Sequence, residues 1–106
     1  MKSDILYTIH ICECLDRIQS YAAGIDQNQF LASSLIQDAV LRNLQVLAES
    51  SQRLSDDFKT QHPEIEWYKI SGLRNILTHD YLGIDIETVW VIISEELSKL
   101  KRAVKD

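Results

Sequence analysis

The chain has 106 residues, of which 45% are hydrophobic and 25% charged, and its formal net charge is −5. That length allows one domain with one core, so we expect residues 1–106 to form a single domain. A general nucleic-acid binder needs a basic excess, because neutralising phosphates supplies most of the non-specific affinity. The acidic balance excludes such a binder, and leaves nucleic-acid contacts that are local or assembled with a second chain.

The sequence predicts a cytoplasmic protein that does not enter a membrane. No apolar run approaches the ~20 residues that cross a bilayer, and the first residues lead directly into an amphipathic pattern that contains charges, unlike a secretory signal. Cys12 and Cys14 would point to different faces of a helix, which suits neither a disulfide nor a zinc site. We therefore expect buried thiols in a reducing cytoplasm. No phosphate-binding loop or metal-ligand cluster is evident in the sequence, so neither a cofactor nor a metal is expected.

Only three glycines and one proline interrupt the helical patterns, which predicts an all-α protein. The first helix is expected to be capped by Ser3 and to end at Ala23-Gly24. Its predicted apolar face consists of Ile5, Ile9, Cys12, Ile18 and Ala22. Residues 26–33 are then a connector with room for a helical turn.

The second predicted helix, from Ser34 to Leu54, carries an unusually wide apolar arc. The arc consists of Ile36, Val40, Leu44, Leu47 and Leu54, widened by Leu35, Ala39 and Val46. It covers about half the circumference, more than the ~100° that one core face needs, which indicates a subunit interface as well as a core. Asn43 lies inside the arc. Its amide either bonds a neighbouring backbone or, with Arg42, reaches toward the motif described below.

The second half of the chain predicts two further long helices. A polar connector, Ser55 to Glu66, has room for a short helix at Asp56–Gln61. The third main helix begins near Trp67, and Gly72 within it indicates close approach of another backbone. The chain is expected to break at Leu82-Gly83. Asp85 then caps the last helix, with a hydrophobic staple between Ile84 and Val89. The inward-facing residues of that helix are Ile86, Trp90, Ile93, Leu97, Leu100 and Val104. Together, these predicted helices and short connectors indicate an antiparallel bundle of four to five helices.

One segment of the third helix, residues 74–81, brings together residues that can do chemistry. At about 100° per residue, Arg74, Asn75, Thr78 and His79 share one polar stripe beside the apolar stripe of Ile70, Leu73 and Leu77. Arginine presents charged donors that match phosphate oxygens, and histidine can give or take a proton near neutral pH. RNA cleavage without a metal needs a base, an acid and positive charge at the phosphate. One chain supplies a single histidine here, so a symmetric dimer would complete the set.

Each neighbour of this pair has a structural reading beside the functional one. Asn75 could hold the histidine or a phosphate, or it could stabilise the junction between helix and loop. Asp80 could orient an imidazole, as carboxylates often do, or be simply exposed. Tyr81 could pack its ring with a solvated hydroxyl. The other two histidines, His10 and His62, are expected to be structural.

The pattern of Arg74, four residues, His79, one residue and Tyr81 resembles the signature of the HEPN superfamily, in particular the HepT-like toxins of prokaryotic toxin–antitoxin pairs. Flanking segments extend the similarity from about Tyr7 to about Val104. These segments are Gln37-Asp38-Ala39-Val40, Arg42-Asn43-Leu44, His62-Pro63-Glu64-Ile65 with Trp67, and Gly83-Ile84-Asp85 with Trp90.

The resemblance implies a HEPN-like helical homodimer that acts as a metal-independent endoribonuclease toxin, with Arg74 and His79 catalytic at a groove shared by two subunits. Asn75, Asp80 and Tyr81 would support them. The implied partners are RNA and a minimal nucleotidyltransferase antitoxin, which would transfer AMP from ATP to Tyr81. The alternative is a HEPN scaffold that binds the nucleotidyltransferase or a nucleotide without cutting RNA. The net negative charge favours that alternative, whereas the intact motif favours the enzyme.

Overall fold

Six helices account for most of the chain in a computed structural model, which describes residues 2–79 and 85–105 without the side chains of residues 2, 76, 78, 79 and 105. The first five helices are α1 (Lys2–Ala22), α2 (Gln27–Ala32), α3 (Ser34–Gln52), α4 (Asp56–Gln61) and α5 (Trp67–His79). Helix α6 begins as an α-helix, Ile86–Val91, forms a π-helical turn, Ile92–Glu96, and ends as an α-helix, Leu97–Lys105. No β-strand occurs in these residues, so the predicted all-α, HEPN-like bundle is confirmed. Its four long helices are joined in part by the short helices α2 and α4.

Local capping explains where several helices begin and end. Gly24 follows the end of α1 with φ of 75°, a conformation that favours glycine. Asp26 caps α2 in a capping box, in which its carboxylate accepts from the Gln29 N–H while the Gln29 side chain accepts from the Asp26 N–H. Ser33 caps α3 and Asp85 caps α6 through their side chains. The predicted cap at Asp85 is therefore confirmed, whereas Ile84, its staple partner, lies outside the described residues.

A single cluster of buried side chains runs between the long helices. Its members from α3 to α6 include Val40, Leu44, Leu47, Leu54, Leu73, Leu77, Val89, Leu97, Leu100 and Val104. Ile86, Trp90 and Ile93 pack against the cluster and remain partly exposed. The inward faces predicted for α3 and α6 are confirmed. None of the described helices is long and apolar enough to span a membrane.

The apolar face predicted for α1 is wrong. Ile5 and Ile9 expose 61% and 49% of their surface, and the buried stripe is instead Ile11, Cys14, Leu15 and Ile18, of which only Ile18 was predicted. The reason lies further along the helix, because the stripe that begins at Ile5 and Ile9 continues into Asp16 and Gln19, which are polar. Both are exposed, and both lie next to Lys101 of α6, whose Nζ is 2.6 Å from Gln19 Oε1 and 3.8 Å from Asp16 Oδ1.

A polar contact between distant parts of the chain joins the start of α1 to the residues that follow α3. The buried carboxylate of Asp4 accepts hydrogen bonds from the N–H and the hydroxyl of Ser55, at 2.8 and 2.6 Å. The Ser55 hydroxyl in turn accepts from the Phe58 N–H and so caps α4. The start of α1 therefore meets the residues that follow α3, which makes α1 and α3 antiparallel. Sequence reasoning placed Asp4 only in the first turn of α1 and missed this role.

Acid is expected to weaken this contact. The two hydrogen bonds from Ser55 hold the pKa of Asp4 below its ordinary value of 3.8. The unfolded chain then binds the proton more readily, so the contribution of Asp4 is present above that value and is lost as the pH falls through the folded-state pKa. Ser55→Ala should lower the free energy of unfolding by about 1 kcal/mol near neutral pH, as the loss of a helix cap does.

The same variant tests the pH dependence. Urea unfolding between about pH 5 and pH 2 should show that Ser55→Ala loses less stability than the natural chain, because one of the two hydrogen bonds that hold the Asp4 carboxylate, the one from the Ser55 hydroxyl, is already absent. Parallel pH profiles for the two proteins would contradict the role assigned to Asp4.

Gly72 and the wide apolar arc of α3 were the two features that predicted a contact between subunits. Apart from Gly72 itself, its two chain neighbours and the helix backbone within four residues, no heavy atom of the described chain would lie within 4 Å of a Cβ placed on Gly72. The expected close approach of another backbone therefore does not occur inside this subunit. The arc of α3 is mostly used by the core, with Ala39 and Val46 half-buried. Only Leu35, at 79% exposure, is left largely in solvent. A contact between subunits on α3 therefore has little apolar surface to bury.

Candidate active site

Two hydrogen bonds from Trp67 hold the beginning of α5, the helix that carries the motif. The indole N–H of Trp67 donates to the carbonyls of Lys59 and His62, both at 3.2 Å. The Trp67 ring also meets the ring of Phe58 edge-on, with centroids 6.2 Å apart. One tryptophan thus ties the end of α4 to the first turn of α5. Sequence reasoning used Trp67 as a helix boundary and as part of the family resemblance, and missed its hydrogen bonds, although an aromatic residue with a polar N–H beside a proline-containing loop is the type that can make them.

Arg74 lies two turns after Trp67 and therefore on the same side of α5. Its side chain is half-buried, and its Nε is enclosed with no hydrogen-bond acceptor among the described residues. A charged donor enclosed without an acceptor is unfavourable, so it favours an anionic partner. The guanidinium group is suited to a phosphate because its planar donors match the geometry of phosphate oxygens. This is the property that the motif prediction requires of Arg74.

The other residues of α5 described here form a buried apolar side and an exposed polar side, as the sequence predicted. Leu73 and Leu77 are buried, and Ile70 packs against the core from a partly exposed position. Asn75 is exposed, so its amide is accessible to solvent. The helix can therefore anchor itself in the core on one side and present polar groups on the other.

The remaining motif residues lie at or beyond the end of α5. His79 is its last residue, and the rise of five residue steps from Arg74 to His79 is about 7.5 Å along the helix axis. The side chains of His79 and Thr78 are outside the description, as are Asp80 and Tyr81 entirely, together with the predicted break at Leu82-Gly83. The structure thus places the backbone of the Arg74–His79 pair on one helix, and the roles of both residues remain predictions.

Asn43 makes the hydrogen bond to a neighbouring backbone that was the first of its two predicted roles. It is 8% exposed, and its amide nitrogen donates to the Ala39 carbonyl at 2.9 Å, one turn earlier in α3. Arg42 is exposed, and its charge acts on Cys14 of α1. Burial raises the pKa of the Cys14 thiol, and the charges of Arg17 and Arg42 oppose that shift. A buried thiol with a raised pKa is unreactive, which agrees with the structural role expected for Cys14.

The two other histidines make local contacts. His10 is half-buried and meets the Tyr7 ring edge-on, with centroids 6.2 Å apart. The His62 ring lies 4.7 Å from the Phe58 ring, and its Nδ1 is 3.1 Å from a Glu64 carboxylate oxygen. Among the residues described, no group of three or more His, Cys, Asp and Glu side chains is arranged to hold a metal ion.

Comparison with known proteins agrees with this geometry. The family described as Ribonuclease HepT-like matches residues 11–106. A Methanocaldococcus jannaschii protein named "Putative RNase MJ1380" is 36% identical over 105 residues, which cover 98% of this chain and 96% of that protein. A Thermococcus cleftensis protein named "Probable ribonuclease HepT" is 34% identical over 95 residues, which cover 90% of this chain and 86% of that protein. No solved structure matches the chain. A match over nearly the whole length, motif included, shows that this chain belongs to the ribonuclease HepT-like family.

Proposed function

We propose that this protein is a metal-independent endoribonuclease toxin that cleaves RNA at a site shared by two copies of the chain. The observation that carries the proposal is the enclosed Nε of Arg74 on the helix that ends at His79. Membership in the HepT-like family supports it, and the names of the relatives given above point the same way.

The proposed reaction is a transesterification through the 2′-hydroxyl of RNA. A base removes the hydroxyl proton, the oxygen attacks the adjacent phosphorus, and the 5′-oxygen leaves with a proton from an acid. The products are a 2′,3′-cyclic phosphate and a 5′-hydroxyl. His79 can fill either proton role, and Arg74 stabilises the charge that develops on the phosphate oxygens.

Two copies of the chain would supply the second proton-transfer group that one copy lacks. The motif contains a single histidine, whereas the reaction uses a base and an acid, so a homodimer would provide two imidazoles and two guanidinium groups around one cleft. It would also concentrate positive charge locally on a chain whose net charge is −5. In this proposal Asn75 holds a phosphate or the histidine, and Asp80 orients the imidazole.

Control of the enzyme is proposed to rest on a minimal nucleotidyltransferase antitoxin and on Tyr81. The phenol oxygen of Tyr81 would attack the α-phosphorus of ATP, lose its proton and release pyrophosphate, leaving AMP attached as a phosphodiester. The bulk and negative charge of that group beside the cleft would repel RNA, in the way that phosphorylation blocks an anion site.

Cleavage of a labelled single-stranded RNA by the purified protein tests the proposed function. Cutting should persist in EDTA and leave 2′,3′-cyclic phosphate ends, and the matching oligomer with 2′-deoxyribose throughout should stay intact because it lacks the nucleophile. The double variant Arg74→Ala/His79→Ala, purified in parallel, should leave the RNA intact and so controls for contaminating nucleases. If the natural chain leaves every RNA intact, the non-catalytic scaffold becomes the better account.

A further inference from the structure

The short helix α4 is held at both of its ends by side chains from other parts of the chain. At its beginning, the Ser55 side chain caps the helix while its hydroxyl donates to the Asp4 carboxylate of α1 at 2.6 Å. At its end, the carbonyls of Lys59 and His62 accept from the indole N–H of Trp67. Carbonyls in the last turn of a helix lack their usual partner within the helix, so the indole supplies a donor from outside. Helix α4 is therefore a fixed element against which α5 is placed.

The apolar contacts of α5 and the hydrogen bonds of Trp67 constrain the helix in different ways. Leu73 and Leu77 bury one side of α5, but burial of apolar surface has no preferred direction and tolerates a small rotation of a helix about its axis. A hydrogen bond does depend on direction, and it weakens steeply as its angle departs from linear. The Trp67 N–H reaches two carbonyls, each at 3.2 Å, and the ring also meets Phe58 edge-on. The tryptophan therefore fixes the rotation of α5 more closely than the leucines do.

Arg74 is the group that such a rotation would displace. It lies seven residues after Trp67, on the same side of α5 and about 10.5 Å further along the axis. Side chains extend to about 5–6 Å from the axis of a helix, so a rotation of about 10° moves a group at that radius by about 1 Å. A displacement of about 1 Å can lower the rate of a catalysed reaction roughly 100-fold. Because the Nε of Arg74 is enclosed, a rotation would also change how far solvent reaches that atom.

We propose that Trp67 is a positioning residue for Arg74, and that its indole N–H holds α5 in the rotation that presents the guanidinium group to the RNA phosphate. This rests on the proposed function, in which Arg74 stabilises the charge that develops on the phosphate oxygens. Trp67 acts through the helix, because it lies in the first turn of α5 whereas the motif occupies the other end. The junction between α4 and α5 thereby contributes to the reaction as well as to the fold.

Removal of the N–H donor tests this role. Trp67→Phe keeps an aromatic ring beside Phe58 but loses both hydrogen bonds, and we expect kcat/KM for RNA cleavage to fall roughly 10–100-fold while the helical content is retained. Trp90→Phe is the matched control. The Trp90 ring packs on Phe30 of α2, with centroids 5.2 Å apart, so this variant should lose stability in urea but keep most of its activity. An equal loss of activity in the two variants would leave Trp67 only a structural role and overturn the proposal.

A double variant shows whether Trp67 acts through Arg74. Two changes that act through one group are not additive, so adding Trp67→Phe to Arg74→Ala should lower the remaining rate by less than about 2-fold. A residue that only stabilises the fold would lower the rate in both backgrounds. A further fall as large as the one in the natural chain would therefore contradict the positioning role.

Proton exchange at the Arg74 Nε–H, followed by nuclear magnetic resonance, measures the same placement without RNA. The enclosed atom should exchange slowly in the natural chain and in Trp90→Phe, and roughly 10-fold faster or more in Trp67→Phe. An unchanged exchange rate in Trp67→Phe overturns the proposal. Faster exchange in a protein that never cuts RNA keeps the link between Trp67 and Arg74 and removes the ribonuclease. A protein that cuts RNA, and in which Trp67→Phe changes neither cleavage nor exchange, does the reverse.

A closer isostere decides the matter if Trp67→Phe fails to fold. In 3-benzothienylalanine a sulfur atom takes the place of the indole N–H, so the shape of the side chain is retained and only the donor is lost. Placed at position 67 of a chemically synthesised chain, it should give the same fall in kcat/KM and the same faster exchange at Arg74. Natural values of both quantities would overturn the proposal.

Discussion

RNA cleavage is expected to fall by roughly 10²–10⁴-fold in Arg74→Ala and in His79→Ala, while the helical content stays the same. Arg74 is half-buried, and its enclosed Nε has no acceptor among the described residues, so removing the side chain takes away an anion-binding group and leaves the main core contacts of α5 in place. His79 ends the helix, where a truncated side chain does not interrupt the backbone hydrogen bonds of earlier turns. Initial rates on one RNA, together with far-ultraviolet circular dichroism, measure the effect.

Matched variants separate chemistry from charge and folding. Arg102→Ala removes the same charge from an exposed position at the far end of α6 and should keep most of the activity. Arg74→Lys keeps the charge but loses the planar set of donors, so an intermediate rate is expected. His79→Gln can still hydrogen-bond but cannot transfer a proton, and it should be as inactive as the alanine variant. Full activity of His79→Gln would mean that another group transfers the protons.

AMP attached to Tyr81 is expected to suppress cleavage without unfolding the protein. Incubation with the proposed nucleotidyltransferase antitoxin, ATP and magnesium should raise the mass of the chain by whole AMP units, and RNA should then remain uncut. The physical reason is local, because each modification adds a bulky group and a negative charge where RNA phosphates must pass. Mass spectrometry and the cleavage assay, run on the same sample, give both readings.

Tyr81→Phe is the matched control for this switch. It keeps the ring and, since Arg74 and His79 remain, should keep much of the nuclease activity. It should gain no AMP and should escape suppression. Tyr68→Phe, which removes an exposed phenol elsewhere on the chain, should be modified and suppressed like the natural protein. A mass increase that persists in Tyr81→Phe, or modified protein that cuts at the full rate, would leave simple masking of the groove by a bound antitoxin as the better explanation.

Features that depend on neighbouring residues were predictable from the sequence. The short helix expected at Asp56–Gln61 has those bounds, and α3 begins at Ser34 as predicted. The cap at Asp85 is also in place. Each of these depends on a side chain that bonds to a backbone within a few residues, so the local sequence contains the whole interaction.

Features that depend on which surfaces meet were not predictable in the same way. Helix α1 offers two apolar stripes, and only packing against α3 and α6 selects the one that contains Leu15 over the one that contains Ile5. The Asp4–Ser55 contact joins residues 51 positions apart, and nothing near either residue in the sequence indicates its partner.

The sequence by itself determined the helical class, several helix boundaries and the chemistry that the motif can do, because helical periodicity, capping and the acid–base properties of side chains are local or intrinsic. The predicted cap at Ser3 was wrong, since Ser3 lies inside α1. Only the tertiary structure decided which stripe of α1 is buried, that Asn43 bonds to the Ala39 carbonyl, and that the Nε of Arg74 is enclosed. These outcomes depend on long-range packing, in which several apolar surfaces compete and the choice follows from the shape and charge of the elements that meet.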